Sequence, residues 1–518
     1  MDMISELPKH ILHRILYFLS QNEAVRTSVL SKSWRTIWRT RPNLDLDFSD
    51  PTFRHSTREF LFVVDNTLQL YRDRTLRLEE FRLSICTDHY ESVSLLQKWI
   101  PLLTSMGVKE FRLSISSKTS DPGRLDLPSV VFEAVESLKH LRVERFLFDE
   151  KAIEKITLCK NLRSLHLVDV AVDDSIFQQM IARCPLIENL CVEGLGIGLR
   201  TINTNDLRNL EEFTFTERLG LCCRHFPVEL CSIEIYPVSL RTININYGNI
   251  MFRKEANFLN LNDLFLQGVK SSLDNLSFGK FPRLRRLTLL HCDGLKESRV
   301  FIDAPNILYF EYKGDFVPTV SFATNSFRDW KSEIHIQHIN DGSPSWFLKL
   351  NKLLKSLSQS KISLSIYKHP NDEKDIIQEN IDPVHDKPVL VESLNLACGL
   401  SSFPALVNGV FSICRSRNIG NYLKAWHDEF VESEYSWRGW EVEFVGYMWK
   451  ILMERESGSK DEPSRLLLRD LEEASMEIMK SIHGDEKEDE WYRAPLSECL
   501  LNLSRSYCRF ALKWRDTM

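Results

Sequence analysis

Residues 1–47 read MDMISELPKHILHRILYFLSQNEAVRTSVLSKSWRTIWRTRPNLDLD, three short amphipathic segments in a fixed order that close on a Trp-Arg pair. Pro8 stands where a helix can begin, because a first-turn amide has no intrahelical partner to lose. Ile11, Leu12, Ile15, Leu16 and Leu19 then recur as one apolar face, with Lys9, His13 and Arg14 turned elsewhere. Asn22 can cap a second helix carrying Ala24, Val25, Val29 and Leu30. Ser31 or Ser33 can cap a third carrying Trp34, Ile37 and Trp38. Helices this short bury too little to stand alone, so the module needs a partner. Its basic residues, Lys9, Arg14, Arg26, Lys32, Arg35, Arg39 and Arg41, read mostly as solvated faces.

The LP-x-x-IL opening, the run EAVRTSVLSKSWR and the following Trp38-Arg39 resemble an F-box, in the form carried by plant F-box proteins with leucine-rich repeats. The resemblance covers about the first 45 residues. It implies docking on a Skp-type adaptor, which joins the chain to a cullin scaffold and a ubiquitin-conjugating enzyme. On that basis Leu7, Pro8, Ile11, Leu12, Ile15, Val29 and Trp34 are assigned to the adaptor interface or its support. Leu16 and Leu19 fit that interface and the packing of the three helices equally well.

Beyond this module an L-x-x-L-x-L pattern recurs, with other apolar residues allowed. Its first members are Leu78, Val108, Leu138, Leu162, Ile187, Leu210, Leu240, Leu261, Leu284 and Ile307, separated by 30, 30, 24, 25, 23, 30, 21, 23 and 23 residues. This is a leucine-rich-repeat period, in which each unit offers a short strand and a return segment that bury their apolar faces only against neighbouring units. The clearest return segment is VDDSIFQQMIARCP, where Asp173 or Asp174 caps a helix presenting Ile176, Phe177, Met180 and Ile181 before Pro185. The expected fold class is α/β. A three-helix F-box at 1–45 and a connecting segment at 46–75 precede an irregular leucine-rich-repeat solenoid at 76–320. Degenerate repeats follow at 321–400, with a polar loop at 368–390, and then a helical cap at 401–518. The cap rests on stripes at Phe444, Val445, Met448, Trp449 and Leu452; at Leu467, Leu471, Ala474 and Ile478; and at Leu496, Leu500, Leu503, Tyr507, Phe510 and Trp514. FPALVNGVFSICRSRNI resembles a short motif that follows the repeats in some plant F-box proteins, with Ser416 where that motif has proline. The FBD segment of many relatives is not recognisable.

Strand residues alternate faces, so Arg82, Arg112, Arg142, Arg163, Arg241 and Arg285 with Arg286 can line one surface for a protein target or a small ligand. The plainer alternative is ordinary exposed strand positions. Net charge is −6 and the pI about 6.2, so no overall basic field draws the chain to nucleic acid or to an anionic membrane. The uncharged stretch 394–414 is broken by Asn395, Gly399, Pro404 and Gly409 and reads as strand then helix, not a bilayer span. Asp2 and Glu6 oppose a secretory leader. The 12 cysteines form no CxxC pair; Cys222, Cys223, His225 and Cys231 suit a loop better than zinc. Reduced buried thiols fit the cytosol or nucleus. Gly194, Gly196 and Gly198 lack the Lys and Ser/Thr of a phosphate loop and read as turn glycines. No catalytic constellation, metal site or cofactor is expected. The functions that remain are a specificity subunit of a ubiquitin ligase, a ligand-dependent receptor of the same architecture, and a repeat scaffold without ligase function.

Overall fold

A computed structural model describes residues 7–19, 21–27, 29, 32–48, 57–86, 91–116, 125–127, 137–148, 160–194, 198–218, 230–236, 239–252, 257–323, 329–337, 344–367, 387–398, 402–420, 444–452, 468, 470–480, 490–495 and 508–515. They form a mixed α/β chain of two compact units, 1–261 and 262–518.

The first unit opens with helices α1 (Lys9–Tyr17), α2 (Gln21–Thr27) and α3 (Lys32–Ile37). Pro8 is not inside α1 but caps it: its carbonyl accepts from the amides of Ile11 (2.9 Å) and Leu12 (3.2 Å). Asn22 lies within α2 and does not precede it, whereas Ser31 falls outside the described residues. Leu12, Leu16, Ala24, Trp34 and Ile37 make the core of the three helices, with Leu19 and Trp38 against it.

A parallel ladder follows at once. Strand β1 (Asn43–Asp47) lies before and partly within the segment expected to be a mere connection, and helix α4 (Thr57–Asp73) fills most of the rest. Then come β2 (Glu80–Cys86), helix α5 (Glu91–Ser105), β3 (Glu110–Ser116), β4 (His140–Glu144) and β5 (Ser164–Val168). Helix α6 (Asp174–Ala182) precedes β6 (Asn189–Gly194), β7 (Glu212–Glu217) and β8 (Thr242–Asn246). Each strand pairs in parallel with the next, in register. Phe81, Phe111, Leu141, Leu165, Leu190, Phe213 and Ile243 therefore form one buried column, and the apolar residues two positions on form another. The Phe81 and Phe111 rings stack at 5.9 Å. Stacking apolar side chains at equivalent positions of successive units is how a repeat buries a face that no single unit can hide. Asp173 is the N-cap of α6 and accepts from the Ile176 amide at 2.8 Å. Short strands Thr201–Asn203, Ser232–Ile235 and Asn249–Phe252 make a second small parallel ladder on the return side.

The second unit continues the pattern with β9 (Asp263–Gln267), β10 (Arg286–Leu290), β11 (Tyr309–Gly314) and β12 (Lys331–Gln337). Helix α7 (Pro344–Ser356), β13 (Lys361–Tyr367), β14 (Val389–Ala397), helix α8 (Phe403–Ile413) and β15 (Cys414–Gly420) complete the parallel run. The expected strands at 361–367 and 389–397 and the helix in 403–413 are present.

The helical C-terminal cap is overturned. A helix does cover 444–452, but Leu471, Ala474 and Ile478 lie on a strand, β16 (Leu471–Lys480). Phe510 and Trp514 lie on another, β18 (Cys508–Trp514), with β17 (Glu490–Arg493) between them in sequence. These three run antiparallel in the order β15–β18–β16–β17. The reason is period. Cys508, Phe510 and Leu512 are buried and alternate with Arg509, Ala511 and Lys513, a two-residue repeat that only a strand satisfies. Trp514 Nε1 donates to the Ser416 carbonyl at 2.6 Å, and the Arg415 guanidinium lies 4.9 Å from the Trp514 ring centroid. Leu467, Leu496, Leu500, Leu503 and Tyr507 lie outside the described residues.

Candidate protein-docking surfaces

Helix α1 divides its apolar residues into two stripes. Leu12 and Leu16, four residues apart, face inward, and Leu16 is 0 % exposed. Ile15 is 37 % exposed, Leu7 37 % and Val29 84 %; Pro8 is exposed and Ile11 half-buried. The set assigned to the adaptor therefore splits. Leu7, Pro8, Ile15 and Val29, with part of Ile11, are available to a partner, while Leu12 and Trp34 are core and can only support them. Leu16, open on sequence grounds, is core as well. Tyr17 and Phe18 are exposed apolar residues that the sequence pattern did not single out, although they directly extend the apolar run; Val25, read as one of the apolar residues of the second helix, is exposed as well. Isolated exposed apolar residues need no explanation, whereas this many on three short helices leave an unusual amount of apolar surface open to solvent.

The helices are tied to the ladder behind them. Asn43 Nδ2 donates to the Tyr17 carbonyl at 3.4 Å, His13 Nε2 meets Thr40 Oγ1 at 3.1 Å, and Tyr71 Oη donates to the Arg41 carbonyl at 2.8 Å. Arg41, read as one of several solvated cations, is buried, and that burial lowers the proton affinity of its guanidinium. Burial, and secondarily Glu80, raises the Tyr17 phenol.

The second surface is the polar face of strands β1–β5. Register places Asp45, Arg82, Arg112, Arg142 and His166 in one row. Three of the six assigned arginines are thus neighbours. The other three are not: Arg163, Arg241 and Arg285 sit one residue before their strands, a different row. There Arg163 pairs with Glu188, Arg241 Nε lies 3.4 Å from Glu211, and Lys109 Nζ lies 3.3 Å from Glu79. That row is an edge where residues of both charges meet, and exposed pairs of this kind add little stability. Arg285 belongs to the second unit, where Arg286 begins β10 and faces Asp263 at 3.8 Å.

Within the row, Arg82 Nε and Nη2 hold Glu80 Oε1 at 2.7 and 2.5 Å, and Arg112 holds Glu110 Oε1 at 2.6 and 2.5 Å. Arg142 differs. His140 stands two residues before it, and its Nη1 meets His166 Nδ1 at 3.3 Å. Burial first, then the Arg142 guanidinium, holds His166 below the ordinary imidazole range; Arg112 and His140 add to this and Glu193 opposes it. Arg142→Gln is therefore expected to move the His166 titration upward, which 13C-histidine NMR would show; an unmoved midpoint would mean that the guanidinium does not lie beside the ring. Two shallow depressions open on this face. One of about 180 Å³ is lined by Glu110, Arg112, His140, Arg142, Ser164 and His166, the other of about 200 Å³ by Asp45, Asp47, Arg82, Ser84, Arg112 and Glu144 among others.

Among the described residues no cluster of His, Cys, Asp and Glu could hold a metal ion, and no helix is long and apolar enough to cross a membrane. Cys222, Cys223 and His225 lie outside the described residues. Cys184, Cys231, Cys292 and Cys414 are buried, which pushes each thiol up to about 12. Gly198 takes φ +83°, as a turn glycine should; Gly196 lies outside the described residues.

Comparison with known proteins agrees with this division. The profile described as "F-box domain" matches residues 4–46, and that described as "FBD-associated F-box protein At5g56370, LRR repeats" matches residues 96–217. An F-box ahead of leucine-rich repeats is the class that the fold and these matches define. The chain is similar to plant F-box/leucine-rich-repeat proteins, with an F-box match ahead of a leucine-rich-repeat match. Its relatives in Arabidopsis thaliana include "Putative F-box/FBD/LRR-repeat protein At5g44950", 28 % identical over 46 % of this chain and 53 % of the relative. "Putative F-box/LRR-repeat protein At4g00320" is 31 % identical over 48 % and 53 %, and "F-box/LRR-repeat protein At2g42720" 33 % identical over 37 % and 44 %. The chain spans about half the length of the curated relatives it matches.

Proposed function

We propose that this protein is the target-selecting subunit of a Skp-cullin-F-box ubiquitin ligase, with a three-helix F-box that docks on the adaptor and a leucine-rich-repeat solenoid that holds a protein target. It carries out no chemistry itself. By holding a target lysine near the charged conjugating enzyme it turns an encounter between two molecules into one within a complex. One observation carries the reading: Leu12 and Leu16 fill the core of the helices while Leu7, Pro8, Ile15 and Val29 are left on the outside. Buried thiols are consistent with work in the cytosol or nucleus, where such a ligase operates. The ligand-dependent receptor is the less favoured alternative, since depressions of about 180 and 200 Å³ fall below the roughly 300–1,000 Å³ of ordinary small-molecule sites.

The test is co-purification with a Skp-type adaptor, comparing the natural sequence with a Leu7→Ala, Pro8→Ala double change. Truncated anchors at a docking helix cost roughly 2–4 kcal/mol, enough to abolish stable recovery. A folded natural protein that fails to recover the adaptor would remove the ligase reading and leave a repeat scaffold.

A further inference from the structure

Strands β2 and β3 carry near-copies of one sequence, Glu80-Phe-Arg-Leu-Ser-Ile and Glu110-Phe-Arg-Leu-Ser-Ile. In both, a glutamate and an arginine two residues apart project from the same face, and the carboxylate bridges Nε and Nη2 of its own arginine at 2.5–2.7 Å. The third strand repeats the arginine and drops the carboxylate: it reads His140-Leu-Arg142. Among the described residues no carboxylate lies within 4.0 Å of the Arg142 guanidinium, whose Nη1 instead meets Nδ1 of the His166 ring at 3.3 Å. The depression of about 180 Å³ opens there, between Arg142, His140, Ser164 and His166.

We propose that Arg142, flanked by His140 and His166, is a recognition point for a carboxylate side chain of the bound target, which supplies to this strand the group that Glu80 and Glu110 supply to the two before it. The inference rests on the reading that this strand face holds the target. The chain itself displays the binding geometry twice, and at the third site an imidazole stands at the position that holds the carboxylate in the other two. The charged groups facing the site are Arg112, already engaged by Glu110; Glu144, two residues on along the same strand, with Asp45 and Asp47 farther along the depression that Arg142 also lines; and, beyond His166, Glu193, whose Oε1 accepts from the Cys191 thiol. An acidic segment of a partner is thus matched at this point, and a basic one is not.

The test uses the full chain labelled with 13C-histidine, with the His140 and His166 signals assigned from His140→Asn and His166→Asn. Sodium acetate and sodium phosphate are titrated in turn at constant ionic strength. Acetate is expected to shift both signals saturably. The shift should vanish in Arg142→Gln and in His140→Glu, which builds the missing carboxylate into the strand, and persist in Arg72→Gln, an equal charge change on α4. Absence of a saturable shift, an unaltered response in Arg142→Gln, or a response to phosphate alone would overturn the proposal. Because the measurement needs no adaptor, an acetate response in a chain that fails to recover the adaptor would count against the ligase reading and not against this site.

Discussion

Ile15→Ala and Leu16→Ala, at adjacent positions, are expected to have opposite consequences. Leu16 is fully buried among Leu12, Ala24, Trp34 and Ile37. Cutting it to alanine removes three carbons from a core of five side chains and should cost about 3 kcal/mol, most of what so small a core supplies. Amide exchange across Lys9–Tyr17 should rise sharply, and adaptor binding should fall because the helices are no longer held. Ile15 is 37 % exposed, so its truncation should change stability by about 0.5 kcal/mol or less and leave exchange in α1 unchanged. Adaptor recovery should nevertheless drop by at least tenfold. If both variants lose exchange protection, the two-stripe division of α1 is wrong; if Ile15→Ala keeps full adaptor recovery, the docking face lies elsewhere on the helices.

Gly294→Ala should be the most damaging single methyl in the second unit. A Cβ at that position would lie 1.8 Å from the backbone oxygen of Ser271, and backbone yields far less readily than a side chain. Relaxation is blocked on three sides. The Gly294 amide donates to Val269 O at 3.1 Å, and its carbonyl accepts from the Leu273 amide at 3.3 Å and from Ser298 Oγ at 2.6 Å. Moving the segment forfeits hydrogen bonds worth about 1 kcal/mol each, and not moving it leaves the overlap. A loss on the order of 4 kcal/mol is expected, in the tail reserved for packing violations. Urea unfolding read by exchange at Arg286–Leu290 would check it; a midpoint equal to that of the natural protein would contradict the close approach.

Much of this architecture was legible in advance because a repeat announces itself through period and parity. The columns headed by Phe81 and Leu83 follow directly from L-x-x-L-x-L, and Asp173 signalled its helix before any coordinates. Parity also contained what was misread. Arg82, Arg112 and Arg142 stand between the second and third apolar residues of the motif, whereas Arg163, Arg241 and Arg285 follow the first. Those are different rows, one on the strand face and one at the edge where Arg163 and Arg241 pair with glutamates. Grouping the six by residue type hid a distinction that their spacing carried.

The five apolar residues of α1 resisted reading for another reason. Both Ile11/Ile15 and Leu12/Leu16 are four apart, so both stripes satisfy a helical period. Only the packing of Ala24, Trp34 and Ile37 decides which of them turns inward. At the C-terminus, a few matches at three- and four-residue spacing outweighed the plain alternation at 508–514. The spacing of Leu471, Ala474 and Ile478 misled further because the register slips between Leu471 and Glu473.

The order β15–β18–β16–β17 bears on how the protein is made. Strand β18 is the last of the four in sequence, yet it lies between the parallel run and the pair β16–β17. The parallel run of the second unit up to β15 can assemble strand by strand as it leaves the ribosome, each strand finding a template already in place. The pair at 471–493 has none until residues 508–514 arrive to bridge it, so this closing step must wait for synthesis to pass them and must join segments far apart in the chain. A ribosome stalled between the two would present β15 with a bare, unpaired edge, the kind of strand that recruits other chains.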